Sequence, residues 1–357
     1  MKELIKKIFI CVACFVLISC NKNKKVDFFS IPVNSSKSSE LPLSKISEKI
    51  EVIELEVTDK SLISSVMDVL ETDNYFIVRD KKSIMLFDKK GIFTCLIGSV
   101  GQGPGEYVNI IDMAVDSDNE KIYAYTNTRK IICYDFNGIF LKETPTEYYR
   151  SLRNICWVGG KLLAASEHVS NSSSLLHHIL YNIDGDNLSI TDSIKISELK
   201  SESIGASIYN DYISNEGNNT YFFFTDYSSQ TNVLDTLYHI DNKKFEATPY
   251  LRLELNNNGY SIYGDKEIYM FNIYKSSRYV FAFYRKENLL NNFCYDTKTE
   301  IGYNLKSGYT DDIHTGEKVR IRPLDSDANK YYYTYTNVNE TDKDEPNPTL
   351  YIGILKK

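Results

Sequence analysis

The sequence predicts an all-β protein, namely a six-bladed β-propeller built from four-stranded antiparallel blades. A ten-residue motif recurs after 47 residues, as IMLFDKKGIF at Ile84–Phe93 and as IICYDFNGIF at Ile131–Phe140. Short strand-like runs joined by polar turns precede each copy, and helical periodicity is almost absent. Repeated units of roughly 50 residues with four short strands each are typical of propeller blades.

The beginning of the chain predicts export. Met1–Lys7 carries three lysines, and the apolar run Ile8–Ser19 is too short to span a bilayer comfortably. We therefore expect residues 1–19 to be a signal peptide. The run Leu17–Cys20 resembles the lipobox of bacterial lipoproteins, which implies that Cys20 becomes the acylated N-terminus. Two acyl chains would anchor the protein stably to the outer membrane, facing the periplasm or the cell surface. The alternatives are an ordinary secretory signal and a short anchor.

The segment after Cys20 is polar, rich in serine and lysine, and contains two prolines. Such a composition favours a flexible linker over a packed element. We therefore expect residues 20–48 to be a tether between the lipid and the folded body. The propeller is expected to occupy residues 49–357.

The charge distribution excludes one class of partner. The chain has 41 basic and 48 acidic residues and a formal net charge of −7, and its charges are scattered. Nucleic acids and anionic membrane faces bind proteins through clustered lysine and arginine. We therefore expect no nucleic-acid partner, and we expect membrane contact only through the N-terminal lipid.

The cysteines do not indicate a redox or zinc centre. The one C-x-x-C pair, Cys11 and Cys14, lies in the predicted signal peptide. Four further cysteines lie in apolar or aromatic strand-like runs, and we expect them to be buried thiols, with one or two disulfides as the alternative. They are Cys95, Cys133, Cys156 and Cys294.

The repeat continues along the chain and sets the number of blades. A third copy in the same 47-residue frame is expected at Tyr181, Asn182 and Gly185. Looser copies are centred on aromatic residues at wider spacing, namely Tyr238, Tyr295 and Tyr351. Six copies predict six blades.

The two ends of the body complement each other. The last unit ends with Leu350–Leu355, which supplies a third strand and leaves no fourth, whereas Lys49–Val57 precedes the first unit without a partner. Pairing these runs would close the ring and remove an open sheet edge. We therefore expect the N-terminal strand to complete the last blade.

In these features the chain resembles the six-bladed, TolB-like or NHL-like β-propeller lipoproteins of bacteria. Four features carry the resemblance, besides the lipobox at Cys20: IEVIELEV before the first blade, IMLFDKKGIFTCLIGSVGQGPGEY, IICYDFNGIF, and the final NPTLYIGILKK. The resemblance implies a propeller exposed to the periplasm or the cell exterior. It implies no established reaction and therefore names no catalytic residue.

The glycine-rich stretch Gly98–Tyr107 has two interpretations. A phosphate-binding loop would need a helix directly behind it, and Pro104 removes one backbone donor from the loop. A crossing from the outer strand of one blade to the inner strand of the next fits better. A purely structural corner is the preferred interpretation of this crossing. Because crossings of this kind lie on the face that commonly binds ligands in propellers, a loop that contacts a ligand is the alternative. The residues expected to contact ligand are Gln102, Glu106 and Tyr107.

Four further residues are predicted to lie on the ligand face. The predicted order of strands and loops in each blade puts four residues near loops or at the start of inner strands. They are Arg129, Arg150, Arg153 and Trp157. Arginine and tryptophan contribute strongly to binding when they occupy such positions. Each could instead be a solvated charge or a packing residue.

Signals for catalysis are weak. The sequence contains neither a GxSxG elbow nor an HExxH helix, and we expect its five histidines to be solvated loop residues. Asp116–Glu120 and Asp325–Asn329 resemble calcium loops in composition only, because the glycine and terminal glutamate of an EF-hand are missing. Turn capping is the preferred explanation. We therefore predict no catalytic residue, no metal ligand and no cofactor, with calcium in the central channel as an open alternative.

Two function classes follow. The first is a monomeric, non-catalytic scaffold that binds a peptide, a protein partner or a glycan on its loop face. The second is a lyase or hydrolase acting on sugars or lactones, with a metal ion in the central channel. Because the signals for catalysis are absent, the sequence favours the binding scaffold.

Overall fold

The computed structural model describes residues 29–33, 40–146, 152–169, 175–200, 212–224, 235–255, 267–324, 327–336 and 346–357. The predicted signal peptide, the lipidation site Cys20, the candidate ligand residue Arg150 and Asp325 lie outside these residues. Within the described residues, no helix has the length and apolar character needed to cross a membrane.

The first elements of the chain are a strand, one helical turn and a second strand: β1 (Phe29–Pro32), α1 (Leu43–Ile46) and β2 (Ser47–Ile53). The described residues then form six four-stranded antiparallel sheets, whose strands run in order from the inner to the outer edge of each blade. Blade 1 contains β3 (Asp68–Glu71), β4 (Tyr75–Arg79), β5 (Ile84–Asp88) and β6 (Phe93–Ile97). After two short strands, β7 (Ser99–Val100) and β8 (Glu106–Tyr107), blade 2 contains β9 (Ile110–Asp116), β10 (Lys121–Thr126), β11 (Lys130–Asp135) and β12 (Phe140–Pro145).

The remaining blades repeat this order. Blade 3 contains β13 (Leu152–Val158), β14 (Lys161–Val169), β15 (Leu175–Ile183) and β16 (Ile190–Lys200). Blade 4 contains β17 (Tyr212–Glu216), β18 (Asn219–Phe223), β19 (Thr236–Asp241) and β20 (Glu246–Glu254). Blade 5 contains β21 (Ile268–Lys275), β22 (Tyr279–Lys286), β23 (Leu289–Asp296) and β24 (Ile301–Lys306). After β25 (Tyr309–Thr310) and β26 (Lys318–Val319), blade 6 contains β27 (Arg322–Leu324), β28 (Asp327–Tyr335) and β29 (Thr349–Leu355), and β2 is its outer strand.

The structure confirms the six-bladed propeller and its closure. Strand β2 pairs antiparallel with β29, with Ile50 opposite Gly353 and Ile53 opposite Leu350. The Ser47 and Tyr331 hydroxyls lie 2.6 Å apart and join β2 to β28. Strand β2, which precedes blade 1 in the chain, is therefore the outer strand of the last blade.

The segment predicted to be a flexible tether is in part folded. Strand β1 pairs in parallel with β20, the outer strand of blade 4, and adds a fifth strand there. Ile31 and Val33 are buried against apolar residues of blades 4 and 5, and Leu43 and Ile46 of α1 are buried between blades 5 and 6. The expectation of a tether over residues 20–48 is therefore wrong for these residues. Ile31 and Val33 are two residues apart and therefore lie on the same side of an extended chain, which allows one face of this short segment to be buried.

The core consists of six apolar clusters, one between each pair of neighbouring blades of the described chain. Aromatic rings fill much of this space, as the sequence predicted, because flat rings pack well between facing sheets. Fully buried examples are Tyr123, Tyr134, Phe222, Phe281 and Tyr331.

The repeated motif forms the turn between the third and fourth strands of a blade. In blades 1 and 2, the carboxylates of Asp88 and Asp135 accept hydrogen bonds from the backbone N–H groups two and four residues later. Gly91 and Gly138 follow with φ angles of 84° and 77°. The motif therefore recurs because this turn needs an acceptor at its start and a left-handed residue three positions later.

The third copy of the motif is shifted relative to the predicted frame. Asp184, rather than Asn182, accepts the backbone N–H groups of Asp186 and Asn187. The left-handed residue of this turn is Leu188, with a φ angle of 57°, rather than Gly185. The 47-residue spacing therefore misplaces the acceptor of this turn by two residues and its left-handed residue by three.

Candidate functional site

The direction of the strands divides the loops between two faces of the ring. The blade crossings and the loops between second and third strands lie on one face, which we call the crossing face. The turns between first and second strands and between third and fourth strands lie on the other, which we call the turn face. In blade 2 the crossing face therefore carries residues 98–109 and 127–129, and the turn face carries residues 117–120 and 136–139.

The glycine-rich stretch forms the crossing from blade 1 to blade 2, as predicted. Its ends pair in parallel through β7 and β8, with Ser99 opposite Glu106. The Glu106 carboxylate accepts the Gly103 N–H at 2.8 Å, so it holds the loop itself. A side chain at Gly101 would collide with this carboxylate, since an ideal Cβ would lie 2.0 Å from Glu106 Oε2. The loop is thus a compact corner with its own internal acceptor.

The three candidate ligand residues of this crossing differ in exposure. Gln102 is exposed at the tip of the loop. Tyr107 is 1% exposed, and its hydroxyl donates a hydrogen bond to the Ile97 carbonyl at 2.8 Å. Burial raises the pKa of Tyr107 to about 12. The structure therefore leaves Gln102 accessible to a ligand, whereas Glu106 and Tyr107 maintain the loop.

Two of the candidate arginines lie on the crossing face. Arg129 is exposed in the loop between β10 and β11, with a φ angle of 58°. Arg153, in a bulge at the start of β13, donates to Glu167 Oε2 from Nε at 2.9 Å. Glu167 lies 3.5 Å from Nε2 of His178, which is 1% exposed and stacks on Phe224. Arg153 is thus held by a buried carboxylate rather than presented as an isolated charge.

The expectation of solvated loop histidines is wrong for His178. It lies inside β15, where its Nδ1 is 2.8 Å from the Ser197 hydroxyl. His177 of the same strand lies 3.3 Å from Glu198. The serine run just before them in the sequence, Ser172–Ser174, is typical of a turn and therefore favours a loop when the sequence is read alone.

Trp157 lies on the turn face, not on the predicted crossing face. It precedes the Gly159–Gly160 turn at the far end of β13, four residues after Arg153 and therefore about 13 Å along the strand. Its ring stacks on Tyr123 of blade 2 at a centroid distance of 5.5 Å and an interplanar angle of 11°. The predicted ligand residues therefore do not form a single site.

Trp157 instead lines a cleft of about 390 Å³ between blades 2 and 3, which we call the tryptophan cleft. The turns of both blades supply its walls. The lining residues are Asp116, Asp118, Asn119, Trp157, Gly160, Lys161, Asn182, Ile183, Asp184, Gly185, Asp186 and Thr191. An ion pair between Lys121 and Asp186, with Nζ and Oδ1 2.9 Å apart, joins the two blades beside it. Its hydrogen bond to Lys121 lowers the pKa of Asp186, so this carboxylate is ionised at neutral pH.

The tryptophan cleft contains a buried acceptor without a partner. Asn182 is 9% exposed, and its Oδ1 has no hydrogen-bond partner among the described residues. Buried side-chain oxygens are usually satisfied, and an exception calls for an explanation such as a ligand or a water molecule. Asn182 therefore marks the cleft as a place where a donor from outside the chain fits.

The central channel is narrow, with a cavity of about 60 Å³ lined by inner strands. Asp68, Asp112, Asn154 and Asn272 occupy the same position in four blades, because each pairs with the fifth residue of the second strand. A bulge directly precedes this position in blades 2, 3 and 5. Three of the four, Asp68, Asp112 and Asn154, line the channel.

Asp112 is the most perturbed acid of the channel. Its burial raises its pKa to about 7, and the nearby Asp68 carboxylate adds to the increase, whereas Arg79 and backbone N–H groups oppose it. Asp112 Oδ2 accepts hydrogen bonds from Asn154 Nδ2 at 2.8 Å and from the Ile155 N–H at 2.7 Å. The carboxyl group is therefore a structural acceptor between blades 2 and 3.

The raised pKa of Asp112 predicts a pH-dependent stability. The folded state binds this proton more tightly than the unfolded state, whose Asp pKa is near 3.8. The stability contributed by Asp112 is therefore complete below pH 3.8 and decreases as the pH rises towards 7. Asp112→Asn should gain stability relative to the wild type between pH 4.5 and pH 7.5, as measured by urea unfolding at both values. A stability difference that is the same at both pH values would contradict this assignment.

The calcium-like sequences serve as turns where they are described. Asp116 accepts hydrogen bonds from the backbone and side chain of Asn119, and Asp327 accepts both from Asn329. Across the described part of the chain, no group of three or more His, Cys, Asp or Glu side chains is arranged to hold a metal ion.

The four cysteines of the propeller are free thiols. Three are buried, whereas Cys95 is partly exposed. Burial raises the pKa of Cys133 to about 11, which keeps this thiol protonated and unreactive at neutral pH. The structure thus supports buried thiols for Cys133, Cys156 and Cys294 over disulfides.

Comparisons with known proteins find several solved structures that are similar to this chain. It is similar to the crystal structure of a "putative exported protein" from Bacteroides fragilis, with 19% sequence identity, a TM-score of 0.63, and coverage of 92% of this chain and 99% of the other. The Pan2 WD40 domain of Neurospora crassa shows 12% identity and a TM-score of 0.44, over 82% and 76% of the two chains. BamB from Moraxella catarrhalis shows 9% identity and a TM-score of 0.40, over 79% and 75%. At these identities the likeness to the Bacteroides protein shows the fold alone.

No curated protein sequence matches the chain. A family model does match, over residues 28–351, which covers nearly all of the propeller. This chain therefore belongs to the family described as a domain of unknown function, DUF4934.

Proposed function

We propose that this protein is an exported, lipid-anchored binding scaffold that holds a glycan in the tryptophan cleft. The proposal combines a TolB-like or NHL-like propeller, acylated at Cys20 and attached to the bacterial outer membrane, with a non-catalytic site on the turn face. The observation that carries it is the pairing of a partly exposed Trp157 with the unpartnered Asn182 Oδ1 in one cleft of about 390 Å³. This volume lies in the range of ligand-binding pockets.

The chemistry of the tryptophan cleft fits a hydroxylated ligand. An indole ring provides a rigid apolar surface for the C–H face of a sugar ring, and Asn182 Oδ1 can accept a hydrogen bond from a hydroxyl. Four aspartates and one lysine line the cleft, so its charge disfavours an acidic ligand. A neutral sugar or an amino sugar therefore fits better than a uronic acid.

The test uses the chain from Lys25 onward, which contains every described residue. It is titrated calorimetrically with neutral, amino and acidic oligosaccharides, and thermal unfolding is followed in parallel. A ligand present at 100 times its dissociation constant should stabilise the protein by about 2.7 kcal/mol. We expect binding of a neutral or amino saccharide, and we expect Trp157→Ala to weaken it at least tenfold.

Two further variants make this result specific. Asn182→Ala removes the unpartnered acceptor without touching the stack of Trp157 on Tyr123, and it should also weaken binding. Gln102→Ala, on the opposite face, should leave binding unchanged. The proposed site is wrong if folded Trp157→Ala and Asn182→Ala variants bind every saccharide as the wild type does, or if Gln102→Ala alone abolishes binding.

A further inference from the structure

A second pocket lies on the turn face, between blades 4 and 5. It has a volume of about 410 Å³, which is in the range of small-molecule sites. Three lining residues of blade 5 place it on this face: Lys275 ends β21, Val280 lies near the start of β22, and Thr297 directly follows β23. Four aspartates line the tryptophan cleft, whereas apolar and aromatic side chains line most of this pocket.

Strand β1 contributes an aromatic ring to this pocket. Of the six described blades, blade 4 alone has a fifth strand, and that strand is β1. Phe29 and Ile31 are two residues apart in it and therefore leave the strand on the same side. Ile31 is fully buried between blades 4 and 5, whereas Phe29 is 48% exposed and lines the pocket. The apolar core between the two blades therefore ends at a phenylalanine ring that is only partly covered.

Neighbouring rings hold the two aromatic side chains of the pocket in place. The ring of Phe29 lies 6.3 Å from the ring of Tyr295 in blade 5. The half-buried Tyr250 has its ring 4.9 Å from that of Tyr221, which is 3% exposed. Leu251, the partner of Phe29 in the β1–β20 pair, is buried and also lines the pocket. Because these side chains are already positioned, a ligand loses less entropy in ordering them.

The one charged residue among the described residues that line this pocket is already paired. Lys275 Nζ donates hydrogen bonds to Glu216 Oε2 and, at 3.0 Å, to the Ser276 carbonyl. The Lys275 side chain is only 12% exposed. An acidic ligand would have to compete with Glu216 for this ammonium group, and a cationic ligand would be repelled by it. The charge of the pocket is therefore complementary to a neutral ligand.

A single hydroxyl adds a polar contact to the pocket. Thr297 Oγ1 donates its proton to the Arg278 carbonyl at 2.6 Å. Its oxygen can still accept a hydrogen bond, because a hydroxyl has two acceptor lone pairs. One acceptor in an otherwise apolar pocket can orient a ligand that carries a hydroxyl group.

We propose that this pocket binds a free, uncharged aromatic molecule, whose ring packs against Phe29 and Tyr250 and whose hydroxyl donates to Thr297 Oγ1. Aromatic rings gain from edge or offset contacts with one another, in addition to the gain from burial. The volume of the pocket favours a free molecule over a single inserted side chain. This site does not depend on the proposed glycan site, because the tryptophan cleft lies between blades 2 and 3.

Calorimetric titration of the chain from Lys25 onward with p-cresol tests this site, with benzoate and benzylamine as charged analogues. We expect p-cresol to bind with an affinity that does not change as the salt concentration rises. Both analogues should bind at least about tenfold more weakly, because their charges would lose water without gaining a partner. Phe29→Ala should weaken p-cresol binding roughly tenfold. Thr297→Val, which keeps the shape of the side chain, should weaken it roughly threefold.

Two control variants make this result specific. Phe140→Ala removes another partly exposed phenylalanine, 39% exposed on the outer strand of blade 2, and should leave p-cresol binding unchanged. Trp157→Ala should also leave it unchanged, which separates this pocket from the tryptophan cleft. The proposal is refuted if p-cresol does not bind, if the folded Phe29→Ala variant binds it as the wild type does, or if Phe140→Ala weakens binding equally.

Two further ligand comparisons test the chemistry of the occupant. Tighter binding of benzoate than of p-cresol would contradict a pocket for neutral ligands. A blocked Ala-Tyr-Ala peptide carries the same ring as p-cresol on a protein backbone. If this peptide binds more tightly than p-cresol, the occupant is a side chain of a protein partner, and the assignment to a free molecule is wrong.

Discussion

A chain that begins at Thr58 is expected not to form a stable ring. The truncation removes β2, so β29 would expose its whole pairing edge. It also removes Leu41, Leu43, Ile46 and Leu55, each at most 5% exposed in the folded protein. Burial of one such side chain contributes about 1.5–3 kcal/mol, so the loss is on the order of 10 kcal/mol and comparable to the whole stability of a domain. Circular dichroism and size-exclusion chromatography should show an unfolded or aggregating chain.

A shorter truncation provides the matched control. A chain that begins at Glu40 loses β1, with its buried Ile31 and Val33, but keeps β2. It should remain folded, with a lower midpoint in urea than the chain from Lys25. If the chain from Thr58 unfolds at the same urea concentration as the chain from Glu40, β2 does not close the ring.

Gly138→Ala, in the second copy of the repeat, is expected to be strongly destabilising. Gly138 has a φ angle of 77°, and an added Cβ would lie 2.2 Å from the Leu96 carbonyl oxygen, on the outer strand of blade 1. Alanine would have to adopt a left-handed conformation, which costs about 1–2 kcal/mol, and also push two blades apart. Overpacking of this kind adds about 1–3 kcal/mol. We therefore expect a total loss of about 2–5 kcal/mol in the free energy of unfolding, measured by urea denaturation.

Gly160→Ala is the control that isolates the collision. Gly160 has a φ angle of 79°, but an added Cβ there would meet no atom within 4 Å. Its substitution should lower the free energy of unfolding only by the cost of placing alanine in the left-handed conformation, about 1–2 kcal/mol. Equal losses in the two variants would show that contact between neighbouring blades does not explain the repeated glycine.

The fold could be predicted from the sequence because the turn between the third and fourth strands recurs from blade to blade. The Asp88 and Asp135 turns need the same acceptor and the same left-handed glycine, so their sequences match closely enough to give a period. Blade 3 departs from that period because Leu188 adopts the left-handed conformation in place of a glycine. A motif search that relies on glycine cannot locate such a turn.

The folded part of the predicted tether was harder to foresee. Ile31 and Val33 have the two-residue spacing that a half-buried strand requires, but the run is only four or five residues long and lies in a segment rich in serine and lysine. Whether it pairs depends on the free edge of β20, more than 200 residues later in the chain. The local pattern of apolar and polar residues gives little indication of pairing between strands so far apart in the sequence.

The sites were only partly predictable. The Gly159–Gly160 turn, which follows Trp157 after one further residue, is visible in the sequence and places that tryptophan on the turn face. No sequence pattern indicates that the side-chain oxygen of Asn182 is buried without a partner, because its environment depends on how two blades pack against each other.

Hydrogen–deuterium exchange of the chain from Lys25, followed by mass spectrometry, tests the closed ring most directly. If Ser47–Ile53 is the outer strand of the last blade, its amides should be protected and should exchange together with those of Thr349–Leu355. That protection should disappear only under conditions that unfold the whole propeller. Rapid exchange of Ser47–Ile53 while Thr349–Leu355 stays protected would contradict the closed six-bladed ring.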